Sequence, residues 1–187
     1  MIGIVSLNDD VEKWAVPLME QIKSYEPSVE TRLQVAWPGV GGYAASMNEL
    51  ARYWIEHTTD EWFMPMNADV SCSGSFMAKV NSYSRDCLYC LDINQRDNRF
   101  WVEGWFYVIS RALWQDVGEF DENFKISAFE DADFTWRAAD AGYGLVGITL
   151  PFKHEKDNPR RRVPGFSSTR DANFDYLVRK WNLDWRR

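Results

Sequence analysis

Apolar runs and polar breaks alternate along the first 150 residues as strands and helices alternate in an α/β protein. Residues 2–7 (IGIVSL) read as a buried first strand, ended by Asn8-Asp9-Asp10, a turn and helix-cap signal. Trp14, Leu18, Ile22 and Tyr25 then recur at helical spacing, and Pro17 suits that helix only within its first turn. A second strand over 33–37 leads to a loop with Gly39, Gly41 and Gly42, then to a helix whose Met47, Leu50, Ala51, Trp54 and Ile55 share one face. A strand over 62–66 delivers Asn67-Ala68-Asp69-Val70, and a helix over 75–84 and strands over 86–92 and 104–110 follow, before the turn Gly118-Glu119-Phe120-Asp121-Glu122. The segment from Phe129 to Tyr143 opens with acids and closes on Gly142, as a helix with a dipole-complementing start and a glycine stop does. A strand over 143–149 leads to Pro151 and His154, and a basic run (Arg160-Arg161-Arg162) precedes a final helix near 171–182.

This order predicts one α/β domain: a core over 1–150, and over 151–187 a basic loop and C-terminal helix packed on the same domain. With 187 residues, no internal repeat and no low-complexity segment, the chain has one domain's worth of material and a core that needs no disulfides. Aromatics make up 16%, with 10 Trp, enough to place rings in a binding cleft as well as in the core. The net charge of -7 argues against nucleic-acid binding over the whole surface. Charge is uneven, however, at +5 over 151–187 against -12 for the rest. The basic tail reads either as a site for an anionic partner or as the solvated face of an exposed helix. Three cysteines suggest a reducing, cytoplasmic setting. Cys87 and Cys90 form a CxxC, but no second pair follows and the run alternates like a strand, which favours buried structural thiols. The longest apolar stretches fall short of the ~20 residues of a membrane span.

Three features carry candidate chemistry. Asp69 follows a strand, where open α/β sheets bind ligands, and with the distant His154 it could hold Mg²⁺ or Mn²⁺ against a diphosphate. An ordinary turn aspartate and a surface histidine are the plainer readings of each alone. Glu130, Asp131 and Asp133 crowd a helix start, where one could act as general base and where plain capping is the alternative. Gly39, Gly41 and Gly42 make neither a GxGxxG motif nor a P-loop.

In combination and order these residues resemble the family two glycosyltransferases, nucleotide-sugar enzymes of the GT-A fold. The resemblance rests on Asn8, Gly41-Gly42 with Asn48, Asn67-Ala68-Asp69-Val70, Gly118-Glu119-Phe120-Asp121-Glu122, Glu130-Asp131-Ala132-Asp133, Arg137, Gly142-Tyr143, His154 and the ending Asn173 to Trp181. It spans nearly the whole chain. It implies a Rossmann-like α/β/α sandwich with a central, mostly parallel sheet, and inverting transfer of a sugar from a nucleoside diphosphate, UDP favoured, to a hydroxyl acceptor such as a glycan or lipid-linked sugar. It further implies metal at Asp69 and His154, donor contacts from Ser6, Asn8, Gly42, Asn48, Asn67 and Asp69, Asp131 as the base with Glu130 beside it, and acceptor stacking on Trp101 and Trp105.

The chain departs from the family's pattern at three places. No acid follows the second strand (Val35-Ala36-Trp37-Pro38-Gly39), Ser46-Met47-Asn48 lacks the usual Arg, and Asn67 replaces one acid of the metal site. These departures keep open a non-catalytic carbohydrate or nucleotide-sugar binding module. The basic tail keeps open a hydroxyl-bearing DNA base as acceptor.

Overall fold

The computed structural model describes residues 1–36, 42–156 and 163–185, apart from the side chain of Asn8. Gly39, Gly41 and the run Arg160-Arg161-Arg162 singled out in the sequence lie outside the described residues. The central sheet has six strands in the order β2 (Thr31–Ala36), β1 (Ile2–Leu7), β3 (Trp62–Asn67), β8 (Tyr107–Ser110), β5 (Cys87–Cys90) and β9 (Gly144–Gly147). Five strands run in one direction and β8 runs against them, since it alone pairs antiparallel with its neighbours β3 and β5. Two small antiparallel ladders stand outside it: β4 (Val70–Cys72) with β10 (Phe152–His154), and β6 (Ile93–Arg96) with β7 (Arg99–Val102).

Strands buried on both faces need apolar side chains at nearly every position, and this is why IGIVSL and WFMPMN are almost continuously apolar. Alternate side chains feed two cores. Ile2, Ile4, Met64 and Met66 face α1 (Val16–Tyr25) through Leu18 and Ile22. Val5 and Phe63 face α2 (Gly42–His57) through Met47, Leu50 and Trp54, in a cluster that also takes in α4 (Arg111–Val117) and α5 (Glu130–Asp140). The result is the expected three-layer sandwich. Pro17 does lie in the first turn of α1, where its missing N–H leaves no bond unmade.

Some elements differ from the pattern-based reading. The helix over 75–84 is a single turn, α3 (Met77–Val80). Glu26 starts it by accepting from the N–H groups of Phe76 and Met77, and Ser84 and Asp86 bond each other just beyond it, giving the chain a local alternative to continuing. The strand over 104–110 begins only at Tyr107. The last helix, α6 (Phe166–Lys180), starts earlier than its apolar positions indicate and buries Asn173, Phe174 and Leu177. Its charges are not simply solvated: the Lys180 ammonium lies 2.7 Å from both Asp121 Oδ2 and Asp133 Oδ1.

The alternation in β5 decides the CxxC. Cys87 packs with one core and Cys90 with the other, on opposite faces of the sheet. Three residues of strand separate their Cα atoms by about 10 Å, beyond what a disulfide spans. Burial, and then the charge of Asp92, push the Cys90 thiol up to about 12. Both are packing residues.

Candidate active site

The cleft opens where β1 and β3 end, which is where this class of sheet places ligands. Its volume is about 290 Å³, near the lower end of small-molecule sites. Asp69 follows β3 in a tight turn, and the β4–β10 ladder pairs His154 with Val70, carrying the imidazole to the carboxylate across 85 residues of sequence. His154 Nε2 lies 3.2 Å from Asp69 Oδ1, and the Glu155 N–H donates to the Asp69 carbonyl at 2.8 Å. Asp69 is only 2% exposed, yet its Oδ2 is buried with no hydrogen-bond partner among the described residues, as is His154 Nδ1. An unsatisfied buried carboxylate oxygen costs about 1–3 kcal/mol and calls for a reason. Trp105 stacks on the imidazole (centroids 4.9 Å apart, planes at 15°) and donates from Nε1 to Asp92 at 3.0 Å, so its ring orients His154.

Asp131 reaches the same cleft from the first turn of α5. Its Oδ2 accepts the Gly104 N–H at 3.1 Å, its Oδ1 accepts the Ala132 N–H at 2.8 Å, and the Gly104 carbonyl accepts from the Tyr43 hydroxyl. A Cβ at Gly104 would lie 3.0 Å from Asp131 Cβ, Asp131 Oδ2 and the Tyr107 hydroxyl. Burial, and then the charge of Asp131, push the Tyr107 phenol well above its ordinary value, so it faces that carboxylate uncharged. Gly104→Ala should therefore displace the carboxylate: stability should fall by about 1–3 kcal/mol, read by chemical denaturation, and any chemistry dependent on Asp131 by about tenfold or more. A wild-type rate in Gly104→Ala would show that the contact does not set the carboxylate.

Glu130 sits beside Asp131, buried, with its Oε1 accepting from the Ser127 hydroxyl at 3.3 Å. The loop leading to it is strained: Ile126, Ala128 and Phe129 have φ of 58°, 99° and 73°. Non-glycine residues held there cost about 1–3 kcal/mol each and persist only where surrounding structure fixes them. Gly42, itself at φ 73°, permits the approach of this loop to α2, because a Cβ would lie 2.6 Å from the Ile126 nitrogen.

Of the residues singled out from the sequence, Ser6, Asn67, Asp69, Trp101, Trp105, Glu130, Asp131 and His154 line one cleft. Gly42 supports its wall from behind. Asn48 is fully buried and not among the residues that line the cleft, donating to the Phe120 carbonyl and Glu122 and accepting from the Phe120 N–H. Asp133, the third acid of the helix start, is also structural, paired with Arg137 and Lys180 and accepting from the Trp181 indole. The segment 118–122 is a hub of the scaffold. Arg137 donates to the carbonyls of Val117 and Glu119, while Tyr176 and Lys180 bond Asp121. Partial burial raises the Asp121 carboxyl less than Lys180, the Asn123 N–H and Tyr176 lower it, and it settles at about 2. Sequence reasoning passed over Asp10, Trp14, Asn94, Glu103 and Arg170, which also line the cleft. Only Asp10 carried a signal, as part of the turn after β1.

The sheet order, the reversed β8 and a cleft at the strand ends are those of the GT-A fold, and comparison with solved structures agrees. A mutant of the Drosophila β1,4-galactosyltransferase 7, in complex with manganese, UDP-Gal and xylobiose, superposes over 90% of this chain and 79% of its own, with a TM-score of 0.59 at 14% identity. A glycosyltransferase involved in glycosylation of the major capsid of PBCV-1 matches 89% of this chain and 98% of its own, with a TM-score of 0.55 at 10% identity. TarS of S. aureus matches 81% of this chain over 36% of its own, with a TM-score of 0.52 at 11% identity. No protein-family model and no curated protein matches the chain. Among the described residues no helix is long and apolar enough to cross a membrane.

Proposed function

We propose that the protein is an inverting glycosyltransferase that moves a sugar from a nucleoside diphosphate, UDP favoured, to a hydroxyl of a neutral sugar acceptor. The observation that carries this reading is the pairing, in one cleft at the strand ends, of the Asp69–His154 couple with the Asp131 carboxylate.

Asp69 and His154 suit a hard divalent cation. They offer carboxylate oxygen and imidazole nitrogen, and the partnerless Asp69 Oδ2 is what a site built for a further ligand leaves behind. No group of three or more His, Cys, Asp or Glu among the described residues could hold a metal ion, so the remaining ligands would come from donor phosphates and water. Asp69 and His154 would hold Mn²⁺ or Mg²⁺ there, which would supply positive charge to the departing diphosphate. Asp131 accepts the proton of the acceptor hydroxyl as its oxygen attacks the anomeric carbon. The carbon–oxygen bond to the diphosphate breaks on the opposite face, and configuration inverts. Trp101 offers a ring for stacking an acceptor sugar, and Trp105 contributes mainly by holding His154. Manganese, UDP-Gal and xylobiose in the galactosyltransferase complex support this assignment by analogy of fold.

Asp10, Asp69, Glu103, Glu130 and Asp131 surround the cleft, with Arg170 and His154 the basic residues described there. That lining favours a metal ion and polyhydroxyl groups and disfavours the phosphates of a nucleic-acid acceptor.

The test is calorimetric titration of UDP-, GDP- and dTDP-sugars with Mn²⁺, with and without chelator. One donor should bind only with metal. Binding of none would overturn the reading, and binding without turnover on any sugar acceptor would leave a nucleotide-sugar binding module.

A further inference from the structure

We propose that Asn173, on α6, is a positioning residue that sets the place of Asp131 by clamping the backbone that leads into α5; this rests on the reading of Asp131 as the base. Asn173 is 3% exposed and spends its whole amide on the strained loop. Its Nδ2 donates to the carbonyls of Lys125, Ser127 and Ala128 at 2.9, 3.3 and 3.1 Å, and its Oδ1 accepts the Lys125 N–H at 3.1 Å. An amide is the side chain that can do both, with two N–H donors and a carbonyl acceptor on one rigid plane.

The clamp is applied where the backbone needs it. Ile126 and Ala128 hold left-handed φ values between the bonded carbonyls, and a β-branched residue such as Ile126 does not rest there unaided. The same helix then grips α5 on the other side of the base. Lys180 Nζ and Trp181 Nε1 reach Asp133 Oδ1 at 2.7 and 2.9 Å, two residues after Asp131. Asp131 thus stands between two points held by one helix, 125–128 before it and 133 after it. Asp69 and His154 are carried by β3, β4 and β10, whereas the hydrogen bonds of Asn173 to described residues all go to 125–128. The two halves of the site are therefore supported separately, and loosening one should spare the other.

The experiment compares Asn173→Ala and Asn173→Asp with Leu113→Ala, which removes a fully buried side chain of α4 from a core that takes in neither Asn173 nor the loop 124–129. Asn173→Asp keeps the volume and the acceptor for Lys125 N–H but turns a carboxylate toward three carbonyls, so it serves if Asn173→Ala does not fold. Three quantities are read on folded protein: amide hydrogen exchange, Mn²⁺-dependent donor affinity, and kcat for transfer. In both Asn173 variants exchange over 124–132 should accelerate while β1 and β3 keep their protection, and kcat should fall about 10- to 100-fold with donor affinity nearly unchanged. Leu113→Ala should lower the melting temperature and leave kcat per folded molecule unaltered. Wild-type exchange over 124–132, or a kcat within about twofold of wild type, overturns the clamp. A wild-type protein that binds no donor or transfers nothing refutes the enzymatic reading instead, and with it any positioning role.

Discussion

Asp131→Asn should abolish transfer while leaving donor binding nearly intact, with kcat lower by about a thousandfold, within the range a positioned general base contributes. The substitution preserves shape. An asparagine Oδ1 can still take the Gly104 N–H that Asp131 accepts at 3.1 Å, while its Nδ2 gives up the Ala132 N–H that the other carboxylate oxygen accepts at 2.8 Å, a local loss at the start of α5. What disappears is the basic oxygen that receives the acceptor's proton. Because that proton moves only in the transition state, the loss appears in kcat and not in the affinity for the donor, which calorimetry reads separately. A variant that keeps a tenth or more of wild-type transfer would show that another group takes the proton.

Asp69→Ala should have the complementary signature: metal-dependent donor binding weakened about a hundredfold or more, so that chelator no longer changes the titration. Stability gives an independent check. In a purely structural role a carboxylate this deeply buried would have its oxygens satisfied, and its removal would destabilise the protein. Asp69 Oδ2 has no partner among the described residues, so deletion relieves a desolvation cost as well as removing the contact to His154. The melting temperature of Asp69→Ala should hold or rise, as happens where a site is kept for function at the expense of stability. A pronounced drop in melting temperature, with donor binding kept, would return Asp69 to the scaffold.

The elements that the sequence pattern revealed are those whose burial writes a period into the chain. β1 and β3 show it as unbroken apolar runs, α2 as one apolar face, and α5 by its acidic start and Gly142 stop. The β6–β7 hairpin escaped because little of it beyond Val102 enters the two sheet cores: INQR and RFWV leave Ile93 and Phe100 exposed, and no alternation marks an inner face. For the site, residue types and order brought out Asp69, His154, Glu130 and Asp131, which share the cleft. The division of labour among similar residues was not legible. Asp131 and Asp133 look alike in sequence, and beyond the neighbouring Arg137 what separates them is Lys180, 47 residues further along, which comes to lie against Asp133. That Asn48 bonds Phe120 and that the Trp105 ring lies over His154 was equally hidden. Pairings of this kind are made by tertiary structure and leave no local trace.

The ladder that sets His154 opposite Val70 has a temporal consequence. Contacts between distant parts of a chain form late, after local helices and neighbouring strands are in place. For 85 residues of synthesis the chain carries Asp69 without His154 to face it, although β1, β2 and β3 already have each other to pair with. A nascent polypeptide on the ribosome can thus build much of its sheet while the proposed cation site is still half made. The cleft matures only when β10 has been made, and a chain short of it lacks the Asp69–His154 couple.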